Sequence, residues 1–253
     1  MNSMYKKILL DYSGFFTVLI IWTIIFSFKL VHTLILPNPL EVTMALGNFF
    51  SDSEWILQWG ATLARALLSF FLATAIGISC GLILGSNRIL DQATEKLIDF
   101  LRSIPSIALF PLFILLLGVS ESSRIAVATT VGSFIILIST KYGVLNANKI
   151  RKQMGKLYNL SYVTFLRKVL LPEAFPYIFN GMRIAISLSL LIIVVTEMLL
   201  GTNYGIGQIL IKSQIQFQTE VLFATLIFLG ILGTSLNFIF NKIEQKLFHW
   251  RST

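Results

Sequence analysis

A chain of 253 residues that is 55% hydrophobic and only 13% charged, with a mean hydropathy of +0.80, departs far from the roughly 25% charged content of soluble domains and reads as an integral membrane protein. Its net charge of +8 suits nucleic acid only where cations gather on a soluble module, and here they are scattered between apolar runs, so no nucleic-acid partner is expected. The one cysteine, Cys80, lies in the apolar run "GISCGLILG", which excludes a disulfide framework and makes it a packing residue rather than a metal ligand.

A bilayer core about 30 Å thick takes roughly 20 apolar residues per helical crossing. On that measure the chain is expected to form a single all-α membrane domain, residues 1–253, with about six crossings near 14–36, 63–86, 104–119, 124–141, 178–200 and 221–240. No small-residue cleavage pattern follows the first run, which is therefore expected to be a retained crossing. Pro37 and Pro39 should stop that helix, and the stretch carrying Glu41, Asp52 and Glu54 is expected along the outer surface, with a short interfacial helix.

In the second crossing Gly77, Gly81 and Gly85 recur every four residues, which places them on one helix face where another backbone can approach closely. The third contains "LRSIPSIALFPLF", in which Pro105 and Pro111 each remove a backbone donor and should bend the helix. Carbonyls freed at that depth must face protein or a water-lined cavity, so Pro105, Ser106 and Pro111 are pore or gate candidates; a kink that only improves packing is the equal alternative. Glu197, near the outer end of the fifth crossing, lies close enough to the interface to be solvated, and a gate or a structural hydrogen bond ranks ahead of substrate contact. Gly201, Gly205 and Gly207 follow no strand, so they suggest an irregular outer segment rather than a nucleotide loop. The next stretch, "QILIKSQIQFQTE", suits a re-entrant or surface helix or a plain connector.

Sorting cations between the alternating loops gives the orientation. With the N-terminus inside, the inner set holds Lys6, Lys7, Arg88, Lys96, Arg102, Lys141, Lys149, Arg151, Lys152, Lys156, Arg167, Lys168, Lys242, Lys246 and Arg251, against an outer set of Lys29, Arg65, Arg124 and Lys212. Arg183 can reach the inner face by snorkelling. Both termini are expected to be cytoplasmic, and the stretch of about 142–175 becomes the largest cytoplasmic loop.

Within that loop Ile150, Met154 and Leu157 recur at helical spacing, as do Tyr162, Phe165, Leu166 and Val169, with Asn159 and Ser161 between the two groups. Two short amphipathic helices are expected, Asn159 closing the first in a left-handed conformation and Ser161 capping the second, with Pro172 and Pro176 marking the turn into the fifth crossing. An apolar stripe in a cationic surround suits either an element resting on anionic lipid or a docking surface for a soluble partner.

The spacing of this loop resembles that of the inner-membrane permeases of bacterial ATP-binding cassette importers, whose loop carries E-A-A, three residues, G, nine residues, I, one residue, L-P. Gln153, Met154 and Gly155, then Asn159, then Val169, Leu171 and Pro172 keep every gap length, with Q-M-G in place of E-A-A and asparagine in place of the glycine. "LILPNPLEV", "LRSIPSIALFPLFILLLGVSESSRI" and "LPEAFPYIFNGMRIAISLSLLIIVVTEMLLGTNYGIG" are similar to the branch of permeases serving nitrate, sulfonate, taurine and thiamine-precursor uptake. The resemblance implies a type I importer permease in the bacterial cell membrane, acting as a homodimer with two ATPase subunits and an external substrate-binding protein. It further implies a coupling helix that contacts the ATPase through Gln153, Met154, Gly155, Leu157, Tyr158 and Asn159, with Leu171 and Pro172 closing the motif.

The chain contains no G-x-x-x-x-G-K-[ST] phosphate loop, so ATP and Mg are expected in a partner ATPase, with no cofactor in this chain. His32 and His249 stand alone, and no metal site is expected. Neither a catalytic motif nor a carboxylate pair within one crossing is present, so the chain is expected to be a non-catalytic subunit. A stand-alone secondary transporter would favour buried charge and repeated halves, and the apolar runs advertise neither.

Overall fold

The computed structural model describes residues 2–247, and every regular element among them is helical. His249 and Arg251 lie outside the described residues. The chain divides into two compact units, Met1–Leu57 with Gln208–Gly230, and Gln58–Gly207 with Ile231–Thr253.

In the first unit, helix α1 (Asn2–Ser27) ends before the expected crossing of 14–36 does. Its stop is Lys29, a non-glycine at φ 50, where the amides of Lys29 and Leu30 bond back to Phe26 and Ile25. Pro37 and Pro39 therefore stop nothing; Pro39 instead opens α2 (Pro39–Ser51), where its missing N–H costs no helical bond, and Asn38 caps the helix by accepting from the Leu40 amide at 3.0 Å. Phe49 is fully buried, stacked on Phe228 with ring centroids 4.6 Å apart and lying 4.5 Å from Trp55. Trp22 packs on Phe223 and donates its indole N–H to the Pro37 carbonyl at 3.1 Å, so its polar edge is satisfied. Phe217, at φ 55, separates α10 (Ile206–Ile215) from α11 (Thr219–Leu247).

The second unit is built around α3 (Ser53–Ser86), α6 (Glu121–Leu145) and α9 (Leu171–Leu200). At 1.5 Å per residue, α3 is about 50 Å long, well beyond a hydrocarbon core of about 30 Å. It begins ten residues before the expected 63, so Arg65, sorted with the outer cations at the very end of that run, lies about three turns inside the helix. The glycine ladder has a partner ladder: a Cβ on Gly77, Gly81 or Gly85 would sit 2.7, 2.5 and 2.8 Å from the Cβ of Ile136, Thr140 and Val144 respectively, four residues apart on α6. Gly143 and Gly181 do the same for α6 against α9, facing Ala174 at 2.9 Å and Ser139 at 2.6 Å. Backbone approach at this range fixes the three helices against one another, and buried Phe70, Ala73, Ile136, Ala185 and Ile186 fill the space between them.

The expected third crossing is not a bent helix. An amphipathic α4 (Arg88–Ser103), capped by Asn87, is followed by a 3₁₀ turn (Ser106–Leu109) and a short α5 (Phe110–Leu117), with a 92° change of direction between them. Pro105 forces Ile104 out of helical geometry, to φ −72 and ψ 124, which ends α4; Pro111 lies in the first turn of α5 and breaks no bond. The expected turn at Pro172 and Pro176 is also absent. Helix α8 (Tyr162–Phe165), a π-helical turn (Leu166–Leu170) and α9 run on as one span of 39 residues, the wide turn falling where Pro172 cannot donate. Among the described residues four helices, Ser53–Ser86, Glu121–Leu145, Tyr162–Leu200 and Thr219–Leu247, are long and apolar enough to cross a membrane, five with the bent pair, and Ser13–Ser27 is a shorter apolar segment.

Candidate functional site

The span between α6 and α9 is shorter than the expected loop of 142–175, because α6 persists to Leu145 and the following helix starts at Tyr162. Helix α7 (Lys149–Leu157) fills it. Asn148 caps its start, accepting from the amides of Ile150 at 2.8 Å and Arg151 at 3.4 Å. Its end is a left-handed Asn159 at φ 47, with the Leu160 amide reaching back to Gly155 at 3.3 Å, the six-to-one bond of a Schellman closure. Ser161 accepts from the Thr164 amide and starts the next helix. Gly155 is buried against the Phe165 ring, 2.7 Å from where a Cβ would stand, so the third position of the Q-M-G triplet is occupied by the residue that lets the two short helices touch.

This turn is tied down through Glu173, a residue the sequence reading passed over. Its carboxylate accepts from the Asn148 amide at 3.2 Å and pairs with Arg151. Lys152 donates to the Leu145 carbonyl at 3.2 Å, and partial burial holds its ammonium below the usual lysine value. Ile150, Leu157 and Tyr158 are left 67, 82 and 73% exposed, with Met154 and Gln153 exposed beside them. Leu171 is half-buried and Pro172 exposed in the first turn of α9. A rigid helix thus presents an apolar stripe within a basic surround.

At the opposite end of α6 and α9 stands Glu197, expected close enough to the interface to be solvated. Glu197 is not solvated: it is fully buried and accepts from the Thr62 hydroxyl at 2.9 and 3.0 Å, Arg65 at 2.6 Å and the Gly207 amide at 3.1 Å. Thr62 in turn accepts from the Ile206 amide at 2.9 Å, and Gln58 accepts from Gly205 at 2.6 Å. A Cβ on Gly205, at φ 159, would meet the Glu197 carboxyl at 2.5 Å, which explains the glycine at this point of the segment. Arg65 also donates to the Tyr204 carbonyl at 2.7 Å and grips both oxygens of Glu121. Arg124, almost wholly buried, donates to Glu121 at 2.9 Å and to the Gly201 carbonyl at 2.5 Å. The chain between Gly201 and Gly207 is therefore sewn to α3 and α6 by charge, where the apolar runs had advertised no buried charge. The signal lay in "SESSR", whose Glu121 and Arg124 are three apart on one helix face, and in Arg65 within "GATLARALLSF". Pro105, Ser106 and Pro111 stand at the α4 to α5 break, the prolines exposed and Ser106 half-buried. Among the described residues no group of three His, Cys, Asp or Glu side chains is placed to hold a metal ion.

Residues 73–249 match the family of binding-protein-dependent transport system inner membrane components. The chain belongs to this family. It is the transmembrane permease subunit of an ATP-binding cassette importer, a non-catalytic multi-pass membrane chain that works with separate ATPase subunits and a substrate-binding protein. The permease is 32% identical to the bicarbonate transport permease CmpB of Synechococcus elongatus, over 91% of this chain and 86% of that one. It is 31% identical to the nitrate import permease NrtB of Synechocystis, over 87 and 82%. It is 26% identical to the putative aliphatic sulfonates transport permease SsuC of Bacillus subtilis, over 93 and 85%. Its fold is that of a chain of the MetNI methionine ABC transporter solved in inward-facing conformations, with a TM-score of 0.66 over 73% of this chain and 92% of that one, at 24% identity.

Proposed function

We propose that this permease carries a small oxyanion, of the sulfonate (taurine-like), nitrate or bicarbonate kind, into the cell. It acts as one of two identical copies, with both termini cytoplasmic, and receives its cargo from the external binding protein. Two ATPase subunits, holding the ATP and Mg, dock on α7, where Met154, Leu157 and Tyr158 enter a groove of the ATPase and Gln153 lies at the rim. The observation that carries the docking is the exposed apolar stripe on a helix pinned by Asn148, Asn159, Gly155 and Glu173: apolar side chains held rigidly outside the fold gain most from a protein partner. The cargo class is supported by what the named relatives carry, since bicarbonate, nitrate and sulfonates each present one negative charge shared among oxygens.

The permease, its ATPase and its binding protein, reconstituted in liposomes, test both parts. ATP-dependent uptake of nitrate, bicarbonate or methanesulfonate that needs the binding protein is expected. Uptake of a neutral thiamine-precursor pyrimidine in preference to all three would overturn the cargo class, and uptake without any ATPase would overturn the docking.

A further inference from the structure

Two arginines and two glutamates meet where α3, the start of α6 and the end of α9 come together, and the two carboxylates are held very differently. Glu197 is fully buried and takes bonds from Thr62, Arg65 and the Gly207 amide. Glu121 has a side chain 53% exposed, and its partners there are the two guanidiniums: Arg65, which grips both oxygens, and Arg124, at 2.9 Å. The two arginine side chains are 87 and 94% buried, and the Arg124 Nε is buried with no hydrogen-bond partner.

We propose that Arg65 and Arg124 form a binding site for the transported oxyanion, and that Glu121 is its built-in occupant, a tethered carboxylate that leaves when the cargo arrives. This rests on the oxyanion reading above. A carboxylate, a nitrate, a bicarbonate and a sulfonate each offer two oxygens at the spacing a guanidinium fork accepts, so one can replace another without moving the arginines. The exchange conserves charge: Arg65 and Arg124 against Glu197 and Glu121 sum to zero, and they do so again when a monovalent anion takes the place of Glu121. A guanidinium stripped of water cannot be left without a counter-ion, so the carboxylate returns once the anion has passed on, which keeps the site weak. The first turn of α6 adds its amide dipoles in the same sense. The unpartnered Nε of Arg124 is a donor that Glu121 does not use and that a three-oxygen anion can.

The test titrates the full-length permease with its ATPases in lipid nanodiscs, without the binding protein, using nitrate, bicarbonate and methanesulfonate, with chloride as control. In Glu121→Gln the tethered competitor is gone, and affinity for at least one oxyanion should rise about tenfold or more over the native chain, with chloride far weaker. Adding Arg124→Gln should abolish the gain, and Arg124→Lys should return part of it. Glu121→Ala, with assembly followed by gel filtration, repeats the test without a polar side chain. Unchanged affinity in both Glu121 variants, or a gain that survives Arg124→Gln, overturns the site. Those results leave the cargo reading standing if liposome uptake of oxyanion persists; conversely, import of a neutral solute removes the cargo reading whatever the titration gives.

Discussion

At one end of the α6 and α9 pair, between Leu145 and Tyr162, the chain leaves Leu157 and Tyr158 largely in the open, while at the other, around Glu121 and Leu200, it buries Glu197 completely beneath Arg65. Each arrangement inverts the usual placement of its residue types, and each carries a compensation of its own. In the loop the backbone is fully capped by Asn148, Asn159 and Ser161, so the fold needs nothing from the apolar stripe. In the charged cluster the side chains are the joinery, because the segment from Gly201 to Gly205 has no regular structure, and Gln58, Arg65 and Thr62 bond Gly205, Tyr204 and the Ile206 amide that follows. The difference separates an apolar surface that the fold does not use from buried charge that the fold depends on even where it also meets an anion, and substitutions at the two ends should behave in opposite ways.

The largest effect is expected at the buried end. Glu197→Leu takes one of two counter-ions from Arg65 and the buried acceptor from Thr62 and the Gly207 amide, and should cost about 3–5 kcal/mol, read as a lower thermal midpoint in detergent, whereas pairing it with Arg65→Met should recover part of the loss. A double variant as unstable as the sum of the singles would remove the pair from the cluster. Next comes the ladder between the ends: Gly81→Val drives side-chain atoms into Thr140 and the Leu137 carbonyl and should cost about 1–3 kcal/mol on the same measurement. In the loop, Asn159→Val puts a β-branched residue at φ 47 and should cost about 1–2 kcal/mol, while Asn159→Gly should be neutral or slightly stabilising. The smallest change in stability is expected for Met154→Asp with Leu157→Asp, within about 0.5 kcal/mol, although this pair should be the one that abolishes ATP-driven transport.

How much of this was legible follows the range of the interactions. Asn159 and Ser161 could be read because capping chemistry acts within three or four residues, and the four-residue spacing of Gly77, Gly81 and Gly85 announces a helix face whatever packs there. Helix α4 was missed because Arg88, Asp91, Glu95, Lys96, Asp99 and Arg102 lower its hydropathy below that of a crossing, although Asn87 offered a cap and Ile89, Leu90, Leu97 and Phe100 an apolar stripe. The stop at Lys29 was hidden for a related reason: hydropathy sees no boundary where a left-handed lysine makes one inside an apolar run. The buried cluster lay furthest from reach. Arg65 meets partners 56 and 132 residues away, and only the fold brings Glu121 and Glu197 to one guanidinium. Arg65, at the end of an apolar run, sorts with the outer loops, since that is where most such residues lie; the extra ten residues of α3 place it well inside a helix.

The division of labour between the two ends is tested most directly by co-purifying the ATPase with the native permease and with the Met154→Asp, Leu157→Asp variant, with thermal unfolding of each measured alongside. A variant that folds with an unchanged midpoint but elutes without ATPase is the expected result. Full retention of the ATPase by that variant, or its loss together with the fold, would contradict a docking surface that stands apart from the structure supporting it.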